Sequence, residues 1–226
     1  MNNIIAQNLT TDLDTTSIDS VLEYLNSFRG EDMRELALDY YRKDYPGLNR
    51  DEIWEILQQN KGWLGQFVEE FFFGTSPNNK AERDLPCGEL KTMQLKTDRF
   101  GGYAITDHLK ITRANRNDLC HKTFGRHKAL QSKLQDMIVV YVDYKNYKFI
   151  KALCFQLDKK DTEKAKNDYN RMVDFANSTG DLFYDSSFGL TPKDSILTLR
   201  SGGKKKNFAV TKRTLERYHL KHLNLA

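Results

Sequence analysis

A chain of 226 residues, 39% hydrophobic and 29% charged, is long enough to bury a sizeable core and has the make-up of a soluble globular protein. Its longest apolar runs, around 138–142 and 71–73, are too short to span a bilayer, and three widely spaced cysteines (Cys87, Cys120, Cys154) argue for a reducing compartment and against a disulfide framework. The net charge of +4 is unevenly spread: residues 1–19 hold three Asp and no Lys or Arg, 109–133 hold seven basic residues and one acidic, and 193–226 hold nine basic and two acidic. Two such basic stretches on one face would attract a polyanion, because each phosphate contact releases condensed counterions; a lysine-rich surface that serves only solubility has the same composition. Residues 1–14 lack a basic flank and an apolar h-region, which reads against a signal peptide and predicts a cytoplasmic protein.

In chain order, residues 17–57 predict two or three amphipathic helices. Val21, Leu22, Leu25 and Phe28 form one apolar stripe, and Met33, Leu36, Ala37, Tyr40 and Tyr41 another. Pro46 and Gly47 break the pattern, and Ile53, Trp54 and Leu57 resume it. A further helix carries Trp63, Leu64, Phe67, Val68, Phe71 and Phe72 as paired apolar positions, and residues 74–79 punctuate the chain. From Asp84 the signal turns to strands: 89–95 after the Pro86-Cys87-Gly88 turn, the partly alternating 103–111, the β-branched run 137–142, and 149–157. Residues 159–177 predict a helix, 195–200 a short strand, and 210–223 a basic terminal helix. No repeat or long linker divides the chain. Helices followed by a mixed sheet with flanking helices predict an α/β or α+β domain.

The chemistry concentrates in Asp84-Leu-Pro-Cys-Gly-Glu89-Leu-Lys91. Strand alternation puts Glu89 and Lys91 on one face and Leu90 on the other, and Asp84, just before the turn, can fold back toward them. Two carboxylates and a neighbouring backbone carbonyl, that of Leu90, are hard oxygen ligands suited to Mg²⁺, with Mn²⁺ as a substitute. The lysine can orient a water and offset charge on a phosphate. Taken alone, Asp-x(4)-Glu-x-Lys is a weak pattern that a solvated strand edge also produces.

Its surroundings are more specific. Asn60-Lys-Gly-Trp-Leu-Gly-Gln-Phe-Val-Glu69, Phe73-Gly-Thr-Ser-Pro-Asn-Asn-Lys80, Asp84 and Glu89-Leu-Lys-Thr92 fall in order and closely resemble the core of the MutH family. That family joins the strand-directed mismatch-repair nickase to related type II restriction enzymes within the PD-(D/E)xK nuclease fold. The resemblance implies a mixed central sheet flanked by helices and two lobes around a DNA cleft: residues 1–108 with the metal site, 109–226 with a basic DNA-binding surface. It implies that Asp84 and Glu89 are metal ligands, that Lys91 is the catalytic lysine, and that Glu69 is the additional acidic residue, with Glu70 as the neighbouring choice. The turn between Asp84 and Glu89 is shorter than the family's usual one.

Further along the resemblance thins. Ser132-Lys133-Leu134 before the buried strand resembles the family's Lys-Leu near the active site, which makes Lys133 a catalytic candidate, with Lys128 competing. Ser195-Ile-Leu-Thr-Leu-Arg200 resembles a strand ending in a DNA-binding arginine, and Lys205-Lys206-Asn207-Phe208 resembles the family's closing segment. Arg200, Lys204, Lys205 and Lys206 are therefore the expected DNA contacts, the three lysines presented by a turn before the terminal helix. Cys120, His121 and His127 do not make a zinc set at normal spacing. The expectation is a Mg²⁺-dependent type II restriction endonuclease acting on double-stranded DNA in the cytoplasm. It would work as a monomer or homodimer, away from membranes, with a cognate methyltransferase for the same site. The alternatives are a strand-nicking mismatch-repair endonuclease and a DNA-binding module that has lost cutting.

Overall fold

The computed structural model describes residues 13–75, 82–114, 119, 122–179, 194–202 and 205–224, with the backbone alone at 201, 202 and 205. Helices and strands combine in a mixed α/β arrangement. The chain divides into two interleaved compact units, Met1–Thr97 with Ile138–Cys154, and Asp98–Met137 with Phe155–Ala226. The chain passes between these units three times. No helix among the described residues is long and apolar enough to cross a membrane.

The first unit opens with the expected helices, and each boundary has a local cause. Helix α1 (Ile18–Asn26) is capped by the Ser17 hydroxyl, and α2 (Met33–Tyr41) by Asp32, which accepts from the N–H groups of Arg34 and Glu35. Helix α3 (Arg50–Gln59) starts with a capping box between Asn49 and Glu52. Helix α4 (Trp63–Phe73) ends at Gly74, whose φ of 61° is the left-handed conformation that glycine adopts without a Cβ penalty. The paired apolar positions of α4 are all buried, and Phe67, Phe71 and Phe72 pack with Tyr24, Phe28 and Tyr40 in an aromatic cluster. Strands β1 (Glu89–Thr97), β4 (Met137–Asp143) and β5 (Phe149–Phe155) neighbour one another in the order β1-β4-β5. Every residue of β4 is buried, as its central place requires. Ile138, Val140 and Val142 join the helical core.

In the second unit β3 (Leu109–Ala114), β7 (Lys205–Val210) and β6 (Leu197–Gly202) form an antiparallel sheet in the order β3-β7-β6. The expected strand over 103–111 is two strands, β2 (Tyr103–Ile105) and β3. Strand β7 corrects a second expectation: Lys205 and Lys206 belong to a central strand, not to a turn before the helix. Two leading lysines give the segment a weak β signal, and its pairing on both sides overrides that. Lys204 lies outside the described residues. Helix α5 (Lys128–Gln135) is capped by the Nδ1 of buried His127, to which Leu130 N–H donates at 3.2 Å. Cys120 and His121 lie outside the described residues. Helix α6 (Lys159–Thr179) stacks Tyr169 on Phe208 of β7 at 5.8 Å. Its buried Asp168 accepts from the N–H groups of Ile196 at 2.7 Å and Leu197 at 3.1 Å, fastening the start of β6; burial pushes this carboxyl above the ordinary range. The terminal helix starts at Lys212, capped by Thr211, and passes through a π-helical turn over Glu216–Leu220.

Candidate active site

The turn before β1 decides where Asp84 sits. Leu85 and Gly88 exchange two backbone hydrogen bonds, at 3.0 and 3.1 Å, and Cys87 N–H donates to Thr15 O at 3.1 Å. Pro86 supplies a fixed φ inside this tight loop. The short connection therefore closes, and Asp84 folds back so that its Oδ2 accepts from Leu90 N–H at 3.0 Å.

Alternation along β1 separates two jobs. Leu90 joins the apolar core with Phe67, Val68, Phe71 and Phe72. Thr92, on the same face, meets α4 where Gly65 leaves room: a Cβ there would lie 3.4 Å from the Thr92 Oγ1. Glu89 and Lys91 share the other face. The Glu89 side chain is fully buried and that of Lys91 is 21% exposed. An isolated carboxylate at that depth would cost several kcal/mol, so it requires a cation in contact. Lys91 supplies it: its ammonium pairs with Glu89 Oε1, donates to Leu90 O at 2.9 Å and lies 3.6 Å from Asp84 Oδ2.

Asp84, Glu89 and the Leu90 carbonyl thus present three oxygens to one cation. All are hard donors. Mg²⁺ is held by one or two carboxylates together with waters and substrate phosphates, so these residues fit that ion. The donor set includes no nitrogen or sulfur that would favour zinc.

Other expected residues fall elsewhere. Among the described residues no group of three His, Cys, Asp or Glu side chains is placed to hold a metal. Glu69 is half-buried on α4, one helical turn from Gly65. Its neighbour Glu70 accepts from the Tyr41 hydroxyl at 2.8 Å, and burial with this carboxylate pushes the Tyr41 phenol up. That contact engages Glu70 within the helical layer. Lys133 and Lys128 both lie on α5 of the second unit; Lys133 is buried, Lys128 exposed. Arg200, on β6, is half-buried and 3.6 Å from Asp107 Oδ1. Next to it His108 is held below the usual imidazole range by burial and then by the Arg200 charge, and its Nδ1 accepts from Lys212 N–H at 3.3 Å. Lys206 pairs with Ala114 and Ser201 on the face of the sheet that carries Phe208, opposite to Asn207.

The residues that sequence reasoning missed are Lys110, Arg113 and Asn207. Pairing of β3 and β6 with β7 sets Arg113 and Arg200 on either side of Asn207, with Lys110 further along β3 opposite Ala209, and the register alone reveals it. Searches against models of known families and against curated proteins found no match to this chain.

Proposed function

We propose that the chain is a Mg²⁺-dependent, site-specific endonuclease of duplex DNA, a type II restriction enzyme of MutH-like PD-(D/E)xK fold working from two lobes in the cytoplasm. The observation that carries this reading is the convergence of Asp84 Oδ2, Glu89 Oε1 and the Leu90 carbonyl on the Lys91 ammonium. Motif order over residues 60–92 supports it from the sequence side.

Asp84, Glu89 and the Leu90 carbonyl would hold Mg²⁺. When bound, the ion lowers the pKa of a coordinated water and neutralises charge on the scissile phosphate. With the ion among these oxygens, the Lys91 ammonium, which they surround here, would sit beside it. The lysine's flexible stem lets the ammonium donate to the attacking water and to phosphoryl oxygens as charge builds on them. The Asp84–Leu90 hydrogen bond holds one carboxylate in place, and the Leu90 side chain, locked in the core, holds the strand that carries the other. Lys133 is the second cationic group of this reading, and Glu69 its supporting acid.

Restriction is favoured over mismatch-repair nicking by the direct β6–β7 connection. The mismatch-repair enzyme of the resembled family carries an extra stretch between these two segments, whereas here Gly202 pairs with Lys205. A methyltransferase acting on the same site would then protect host DNA. The test is to incubate the purified protein with a long defined duplex and Mg²⁺ and to sequence the ends. The reading predicts ends recurring at one short sequence on both strands. Nicks in one strand would favour the repair-type alternative, and intact DNA would overturn the nuclease reading.

A further inference from the structure

The register of the second sheet sorts its side chains into two unlike faces. On one face lie Phe208 with Leu199, and Val210 with Leu197 and Leu109; all are buried, and Tyr169 of α6 stacks on Phe208. On the other, Arg113, Asn207 and Arg200 form one cross-strand row, each directly opposite the next. Lys110 lies on the same side of the sheet through its pairing with Ala209, because a bulge between Lys110 and Thr112 resets the alternation; Ala209 and its β6 partner Thr198 are fully buried, so in that row Lys110 at the sheet edge is the exposed residue. Lys110 and Arg113 are exposed.

Within the described residues no carboxylate forms an ion pair with Lys110 or Arg113, while Arg200 has Asp107 at 3.6 Å. The row is also spaced for a duplex. Strands lie about 4.8 Å apart, so Arg113 and Arg200 stand about 10 Å from each other across Asn207. That span is close to the width of about 12 Å of a B-DNA major groove. Asn207, short and central, has an amide that can both donate to and accept from a base edge.

From this juxtaposition we propose that the Lys110–Arg113–Asn207–Arg200 face of the sheet is the surface that takes the DNA duplex, with Lys110 and Arg113 on phosphates and Asn207 reading a base. The inference rests on the nuclease reading and assigns its substrate contacts to three residues outside the metal site.

The test measures binding of labelled duplexes, cleavage target and scrambled, by fluorescence anisotropy in Ca²⁺ at several salt concentrations. Lys110→Ala and Arg113→Ala should each lower the slope of log affinity against log salt by about 0.9 on both duplexes. Asn207→Ala should lose about tenfold or more on the target and nothing on the scrambled duplex. Lys166→Ala, an exposed residue of α6, should match the wild type. Melting curves confirm that each variant is folded. Wild-type slopes and selectivity in all three variants of a protein that binds and cuts DNA would overturn this assignment and leave the nuclease reading standing. A wild-type protein that neither binds nor cuts duplex DNA would overturn both.

Discussion

Strand β1 and the β3-β7-β6 sheet both carry charge, and they treat it in opposite ways. In β1 one carboxylate is fully buried, and its lysine and a second carboxylate close around it. On the sheet the cations stand at the surface, and two of them form no ion pair among the described residues. Burial forces pairing, because an unpaired ion at depth costs several kcal/mol, whereas water screens an exposed one at little cost. Close pairing of unlike charges around shared oxygens suits the handling of a small hard cation. Surface cations that share one side of a sheet suit a long anion. On the proposed reading, the cutting site and the holding surface differ in how their charges are compensated, not in how many they have.

The largest expected effect breaks the β1 side of this contrast. Lys91→Ala leaves Glu89 buried without its cation and should lower stability by about 3–5 kcal/mol in urea unfolding. Glu89→Gln should cost much less, since Lys91 can turn its ammonium to water. Mg²⁺ at millimolar concentration should recover part of the Lys91→Ala loss by binding the same oxygens. Equal losses in the two variants, with no recovery, would mean that the pair is not coupled in this way.

A smaller effect sharpens the sheet side. Arg200, anchored by Asp107, is held more firmly than Arg113, and its planar fork can reach a base edge. Arg200→Ala should cost about 1–3 kcal/mol at one position of the target and relax selectivity there, read from cleavage of a library of single-base variants. A uniform loss across all positions would reduce Arg200 to a phosphate contact.

What the sequence made legible follows the range of its signals. Helix stripes and the run 137–142 were readable because their periodicity is local, and the helices α1 to α4 match the expected segments closely. The juxtaposition of Asp84, Glu89 and Lys91 was readable for the same reason: Leu90 is the sixth residue after Asp84, and a turn with a strand does the rest. Strand β7 was not. Lys205-Lys206-Asn207 has little strand propensity, and partners some ninety residues away in β3 define it. The row Arg113–Asn207–Arg200 stayed hidden with it, since a one-residue slip in register would send Asn207 to the apolar face. The bulge at Lys110 has no local mark either.

The most direct test of the account compares wild type with Glu89→Gln on the same cleavable duplex, in Mg²⁺, in Ca²⁺ and in EDTA, with DNA binding measured alongside. The wild type should cut in Mg²⁺, bind without cutting in Ca²⁺, and do no cutting in EDTA. Glu89→Gln should bind DNA as well as the wild type or better, since a negative charge near a polyanion is gone, and should cut at least a hundredfold more slowly. Cutting by Glu89→Gln at the wild-type rate, or wild-type cutting in EDTA, would contradict a metal-dependent site built on Asp84, Glu89 and Lys91.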